Sequence, residues 1–181
     1  IVPELQWAGA RAHNRWLAEF CQADPVRRIG LAVIPAMYDM QANLREIQWA
    51  KDNGLKGVFL PSLTDGHKAY NHRDWRPMWK LLQDLKMPVN FHSGASPAMD
   101  TSQPGWIGSF LCEYPFWLTR PMWQMIFGGV FEEFKELKVC FVEAGGEFWF
   151  PWMLQLMDVR ASVKHTSGKL GDYNSNLTMK P

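Results

Sequence analysis

Cysteine is scarce and poorly placed for cross-linking. Cys21, Cys112 and Cys140 are an odd number with no close spacing, which argues against a disulfide framework and a cysteine-rich zinc site. An excess of either charge is missing too. The chain has 19 Lys and Arg against 18 Asp and Glu, a net charge of +1, so neither nucleic acid nor an anionic membrane is expected as a partner. No apolar run reaches the length of a membrane span, and Ile1-Val2-Pro3-Glu4 has no secretory pattern. A reducing compartment, most simply the cytoplasm, is the expectation. The absence of an initiating methionine suggests that the sequence begins inside a longer protein. Several chemistries are also missing. There is no G-x-S-x-G elbow, no Walker loop, no G-x-G-x-x-G after a strand and no basic stripe interleaved with aromatics.

What is present is a globular composition, 47% apolar and 20% charged over 181 residues, enough for one domain with a core. The ten tryptophans read mainly as packing residues. Apolar periodicity predicts a helix over 9–23 with Trp16, Leu17 and Phe20 on one face, closed by Asp24-Pro25. Residues 28–35 (RIGLAVIP) and 55–61 (LKGVFLP) are apolar runs of strand length, as in strands buried on both faces. Asp39 is read as the cap of a helix to about Asn53, with Gly54 beyond its end, and Asp74 as the cap of a helix carrying Met78, Leu81, Leu82 and Leu85.

A third strand is predicted at 87–92 and a fourth at 138–143, with Cys140 inside the latter as a small buried hydrophobe. Between them, residues 106–134 are expected to be helical in two or more pieces. Pro115 and Pro121 should start or kink segments, and Gly128-Gly129 should end one. A last helix runs to about Lys164 with Trp149, Trp152, Met153, Leu156 and Met157 inward. Strand–helix alternation predicts a parallel α/β sheet with right-handed crossovers. Four strands cannot close a (β/α)8 barrel, so the choice lies between a small open sheet and an arc of a barrel. Residues 1–165 read as one partial barrel domain and 166–181 as an irregular tail.

The chemistry-bearing stretch is Pro88-Val-Asn-Phe-His92-Ser-Gly94. Asn90 and His92 share one face of a strand, and a Ser/Gly-rich loop follows at its carboxyl end, where parallel α/β proteins place ligands. A lone histidine there is either a satisfied core residue or a metal ligand. Glu143 ends the fourth strand, on the face of Val139 and Phe141. If that face points inward, the carboxylate serves as a general base or orients a metal ligand; otherwise it caps the following helix. Glu147 reads as a first-turn surface residue. His67, Tyr70, His72 and Arg73 lie on the loop after the second strand, where a solvated loop competes with substrate contact. His13 and His165 read as surface residues and Asp158 as structural.

Seven pieces in order resemble the amidohydrolase-related family (amidohydrolase family 2), which includes metal-dependent hydrolases and aminocarboxymuconate-semialdehyde decarboxylase relatives. They are Asn14-Arg-Trp-Leu with Glu19-Phe-Cys21, Arg28 to Pro35, Gly54 to Pro61, Trp75 to Trp79, Pro88 to His92, Gly129 to Phe134 with Leu137 to Val139, and Glu143-Ala-Gly-Gly with Trp149 and Pro151. The resemblance implies an arc of a (β/α)8 barrel of metal-dependent hydrolase type, with His92 as a metal ligand. Zinc is the first expectation and manganese the second. The family's first-strand His-x-His or Glu-x-His pair and last-strand aspartate have no counterpart here, and glutamate stands at 143 where many relatives carry histidine. The implied function is metal-dependent hydrolysis of a small, carboxylated or cyclic substrate. The alternatives are non-oxidative decarboxylation, or a non-catalytic barrel fragment that assembles with other chains. A homo-oligomer is expected.

Overall fold

The computed structural model describes residues 2–36, 39–62, 68–92 and 99–162. The helix α1 spans Pro3–Gln22, six residues earlier at its start than the periodicity suggests. Pro3 explains the early start, because its fixed φ suits a first helical turn and its missing N–H costs nothing there. The buried stripe of α1 is Trp7, Ala10, Asn14, Ala18 and Cys21, a clean i, i+3, i+7 pattern. Trp16 and Phe20, expected inward, are exposed and stack on each other. They lie a third to nearly half a turn from a stripe whose smaller residues let α1 approach the sheet closely.

Four strand–helix units follow. They are β1 Leu31–Val33 with α2 Met40–Asp52, β2 Gly57–Pro61 with α3 Arg76–Asp84, β3 Val89–His92 with α4 Trp106–Phe127 and the short α5 Val130–Glu133, and β4 Val139–Phe141 with α6 Gly146–Ser162. The strands lie in the order β1-β2-β3-β4, every pair parallel. Asp39 caps α2 through Ala42 N–H at 2.9 Å, as expected. Asp74 does not cap α3. The chain enters α3 through a 3₁₀ turn, Arg73–Trp75, capped by His72, while Asp74 pairs with Lys68. That ion pair holds the Asp74 carboxyl below its usual range.

Register fixes the two faces of the sheet. Ala32, Val58, Val89 and Val139 form one row, and Leu60, Phe91 and Phe141 the next. Across the first three strands this face is fully buried against Ile47, Ala50, Met78, Trp79 and Leu82 of the helices. The opposite rows hold Val33, Phe59, Asn90 and Cys140, then Pro61 and His92, and are only partly shielded. The strands are therefore not buried equally on both faces. Their apolar runs feed one helix-covered face and one open face, as on an arc whose interior faces away from its helices.

Two further differences concern the second half. Helix α4 is continuous for 22 residues with Pro115 and Pro121 inside it. Pro121 is buried, so its packing offsets the backbone hydrogen bond that proline removes. Cys140 is exposed rather than buried, because it lies on the open face of β4, the last strand among the described residues. No helix among the described residues is long and apolar enough to cross a membrane. The expectations for His67, for 93–98, for His165 and for the tail 166–181 lie outside the described residues.

Candidate functional site

His92 is the last residue of β3, on the open face beside Phe59, whose ring centroid lies 5.9 Å away. Its strand end is fixed from below. Pro61 is its register partner on β2, and the Pro61 carbonyl accepts a 2.6 Å hydrogen bond from the Tyr70 hydroxyl. Tyr70 is not a solvated loop residue. It is buried among Trp75, Trp79 and Phe91. Burial pushes its hydroxyl far above the ordinary range, so it remains an O–H donor. The loop after β2 is thus anchored through Tyr70, a role that apolar periodicity does not reveal.

Two residues before His92, Asn90 is nearly inaccessible, and its amide donates to Val58 O at 3.2 Å. The polar pair on one strand face therefore divides its work. Asn90 stiffens the sheet, and His92 reaches the strand end.

Glu143 arrives at the same place by an unexpected route. Strict alternation would put it with Val139 and Phe141, and that face turns toward the helices. The strand ends at Phe141, Val142 N–H still donates to Phe91 O at 2.9 Å, and Glu143 then adopts φ +58°. A left-handed residue breaks the alternation and swings the carboxylate over the strand end. Glu143 Oε2 lies 2.8 Å from His92 Nε2. The Glu143 side chain is 74% exposed and that of His92 27%. The two residues singled out from the sequence are brought together, and the carboxylate is engaged with the imidazole rather than capping α6.

Behind β4, on the helix side, a cavity of about 780 Å3 opens between α4, α5 and α6. Met122, Ile126, Phe131, Phe141 and Trp149 line it, and Glu143 and Glu147 border it. The Trp149 indole is held by a 2.8 Å bond to Ala144 O. His72 and Arg73 stay on the surface, and His13 lies exposed against Trp16.

Parallel β/α units that carry a histidine and a carboxylate at the carboxyl ends of neighbouring strands define an arc of a (β/α) barrel. The family model described as Amidohydrolase matches residues 3–169, and the chain belongs to that family. It is 29% identical over 138 residues to 2-amino-3-carboxymuconate-6-semialdehyde decarboxylase of Dictyostelium discoideum, covering 76% of this chain and 38% of that protein. It is 26% identical over 151 residues to 6-methylsalicylic acid decarboxylase of Penicillium expansum, covering 81% and 46%. Among solved structures, dihydroxybenzoic acid decarboxylase from Polaromonas superposes with a TM-score of 0.65 at 21% identity, covering 88% of this chain and 50% of that one. That structure contains bound manganese and the inhibitor 2-nitroresorcinol. The chain spans less than half the length of the two curated relatives.

Proposed function

We propose that this chain carries part of the active centre of a metal-dependent enzyme that removes carbon dioxide from a small carboxylated substrate. Both curated relatives are named decarboxylases, which favours carbon–carbon cleavage over the hydrolysis that the family resemblance first suggests. The observation that carries the reading is the 2.8 Å contact between His92 Nε2 and Glu143 Oε2 at the carboxyl end of the sheet.

The donor types fit a divalent metal. An imidazole nitrogen and a carboxylate oxygen are ligands that zinc and manganese accept. Among the described residues no cluster of three or more potential ligands occurs, so His92 supplies one ligand where a catalytic site commonly uses three protein ligands, and Glu143 stands beside it as a proton-carrying group. The manganese of the Polaromonas enzyme supports that metal as much as zinc. When bound, a metal supplies Lewis-acid polarisation of a substrate oxygen. His92 would hold it, fixed through the β3 end that Pro61 and Tyr70 brace. Glu143 would hold or release a proton at Oε2, the position from which a carbon centre left by departing carbon dioxide is protonated.

The test is metal analysis of the protein purified without chelators, beside His92→Ala. Near-stoichiometric zinc or manganese in the parent, lost in the variant, is expected. Metal in neither protein overturns the metal-dependent reading. With the metal-loaded protein and a panel of hydroxybenzoates, released carbon dioxide without oxygen incorporation from labelled water marks decarboxylation. Label in the product marks hydrolysis.

A further inference from the structure

The brace from Tyr70 acts on the backbone of His92, through the register partner Pro61. A fixed backbone does not fix a ring. The imidazole still turns about two side-chain bonds, and a ligand is useful only when held within about 0.5 Å of its working position. What holds the ring must come from the open face of the sheet, where it lies.

On β2 and β3, three side chains share that face around His92. Pro61 stands beside it on β2 with a short ring. Asn90, two residues earlier on β3, is turned to the sheet, its amide donating to Val58 O at 3.2 Å and to Pro88 O at 3.4 Å. Phe59 lies diagonally below, one row back on β2, and is long enough to cross. Its ring centroid is 5.9 Å from that of the imidazole, with the planes 36° apart. Phe59 is itself pinned. Val33 and Asn90 are its register partners on either side, and its carbonyl accepts from Ile34 N–H at 3.0 Å. It lies on the face away from the helix-side core and is partly shielded.

The two contacts on the imidazole differ in kind. Glu143 meets its edge, Oε2 to Nε2 at 2.8 Å, from a side chain that is 74% exposed. Water competes for such a contact, so it holds the ring only weakly. An apolar ring packed at a tilt restricts rotation without occupying a nitrogen. We propose that Phe59 is the positioning residue for the His92 imidazole, fixing its rotamer so that Nε2 meets Glu143 and the ring is offered to a divalent cation in one orientation. The cation part rests on the proposed reading of His92 as a metal ligand; the hold on the ring does not. The Phe59 ring also keeps water from one side of the imidazole, which slows the loss of a bound metal.

The experiment compares the full chain with Phe59→Leu, Phe59→Met, Phe59→Tyr and His92→Ala. The His92→Ala variant identifies the imidazole signals in magnetic resonance spectra of the metal-free protein. Three-bond couplings about the His92 side-chain bonds then report one rotamer or an average of several. One rotamer is expected in the parent and in Phe59→Tyr, and an average in Phe59→Leu, with urea midpoints close together because Phe59 lies outside the helix-side core. Phe59→Met keeps length without a ring and gives the same averaged couplings should Phe59→Leu disturb folding. Titrated with zinc alone, Phe59→Leu binds about tenfold or more weakly than the parent, and Phe59→Tyr restores binding. Couplings in Phe59→Leu that match the parent's, or a Phe59→Tyr variant that behaves like Phe59→Leu, overturn the proposal. Averaged couplings with unchanged zinc affinity overturn its extension to the cation. A parent that takes up no zinc removes the metal reading of the proposed function, and the couplings alone then decide the role of Phe59.

Discussion

Ile34, Leu60, Trp79 and Phe91, in the first three strand–helix units, are completely buried. In the fourth unit Phe148, Trp152 and Val159 stand in solvent, Val142 is 39% exposed, and a cavity of about 780 Å3 separates β4 from its helices. Apolar content does not account for the difference, since both regions are rich in large hydrophobic residues. Partners do. Strand β2 is flanked by β1 and β3, whereas among the described residues β4 has β3 alone. Helix α6 is apolar around most of its circumference, a pattern that needs cover on more than one side, and a single sheet edge cannot supply it. Burial belongs to neighbours as much as to sequence.

Matched truncations in the two regions break this comparison most directly. Leu60→Ala is expected to cost about 2–5 kcal/mol, read as a fall in the urea midpoint. Leu156→Ala, on the partly buried face of α6, should cost less than about 1 kcal/mol by the same area argument. Equal costs would show that the fourth unit is packed as tightly as the others.

Asn14→Ala comes next. It removes the amide that satisfies both outward groups of Val33 and also donates to the buried Glu46 carboxylate at 2.9 Å. Each buried group left unpaired costs about 1–3 kcal/mol, so a loss of about 2–4 kcal/mol is expected. Glu46 also pairs with Arg11 and Arg15, and those ion pairs hold α1 to α2 in the variant. The variant should therefore unfold cooperatively at lower urea while its far-ultraviolet spectrum stays unchanged.

The smallest stability effect sharpens the comparison at its boundary. Glu143→Gly relieves a left-handed strain of about 1–2 kcal/mol while losing one exposed contact to His92, so the net change should be under about 1 kcal/mol. Turnover by the metal-loaded protein should nevertheless fall. Glu143→Gln keeps the strained backbone and separates the two effects: if it retains metal and activity like the parent, the carboxylate has no part in the site.

The sequence made most of the strand–helix order legible, because RIGLAVIP, LKGVFLP and PVNFH are apolar runs bounded by proline, glycine or polar residues. It misled where tertiary context overrides local pattern. Trp16 and Phe20 look like a core face, yet the smaller stripe around Asn14 is the one that lets α1 settle on β1. Pro115 and Pro121 look like breaks, yet α4 runs through both. His92 was visible as a polar residue closing an apolar strand. The route of Glu143 to it was not, since a positive φ at a glutamate leaves no mark in a pattern of apolar residues; the nearest signal was Gly145-Gly146, which announces a tight turn just beyond. Tyr70 was hidden because a single aromatic in a polar loop has no periodicity to place it.

The left-handed backbone at Glu143 also narrows which residues this position can accept over evolutionary time. Backbone chirality there favours glycine, asparagine or aspartate. Contact with His92 selects instead for a carboxylate long enough to cross the strand end. Aspartate meets the first demand and falls a methylene short of the second. Glycine is comfortable and mute. A glutamate here marks a position where reach has outweighed conformational ease, so drift toward asparagine or glycine in a related chain would be a readable sign that the pairing with His92 had been given up.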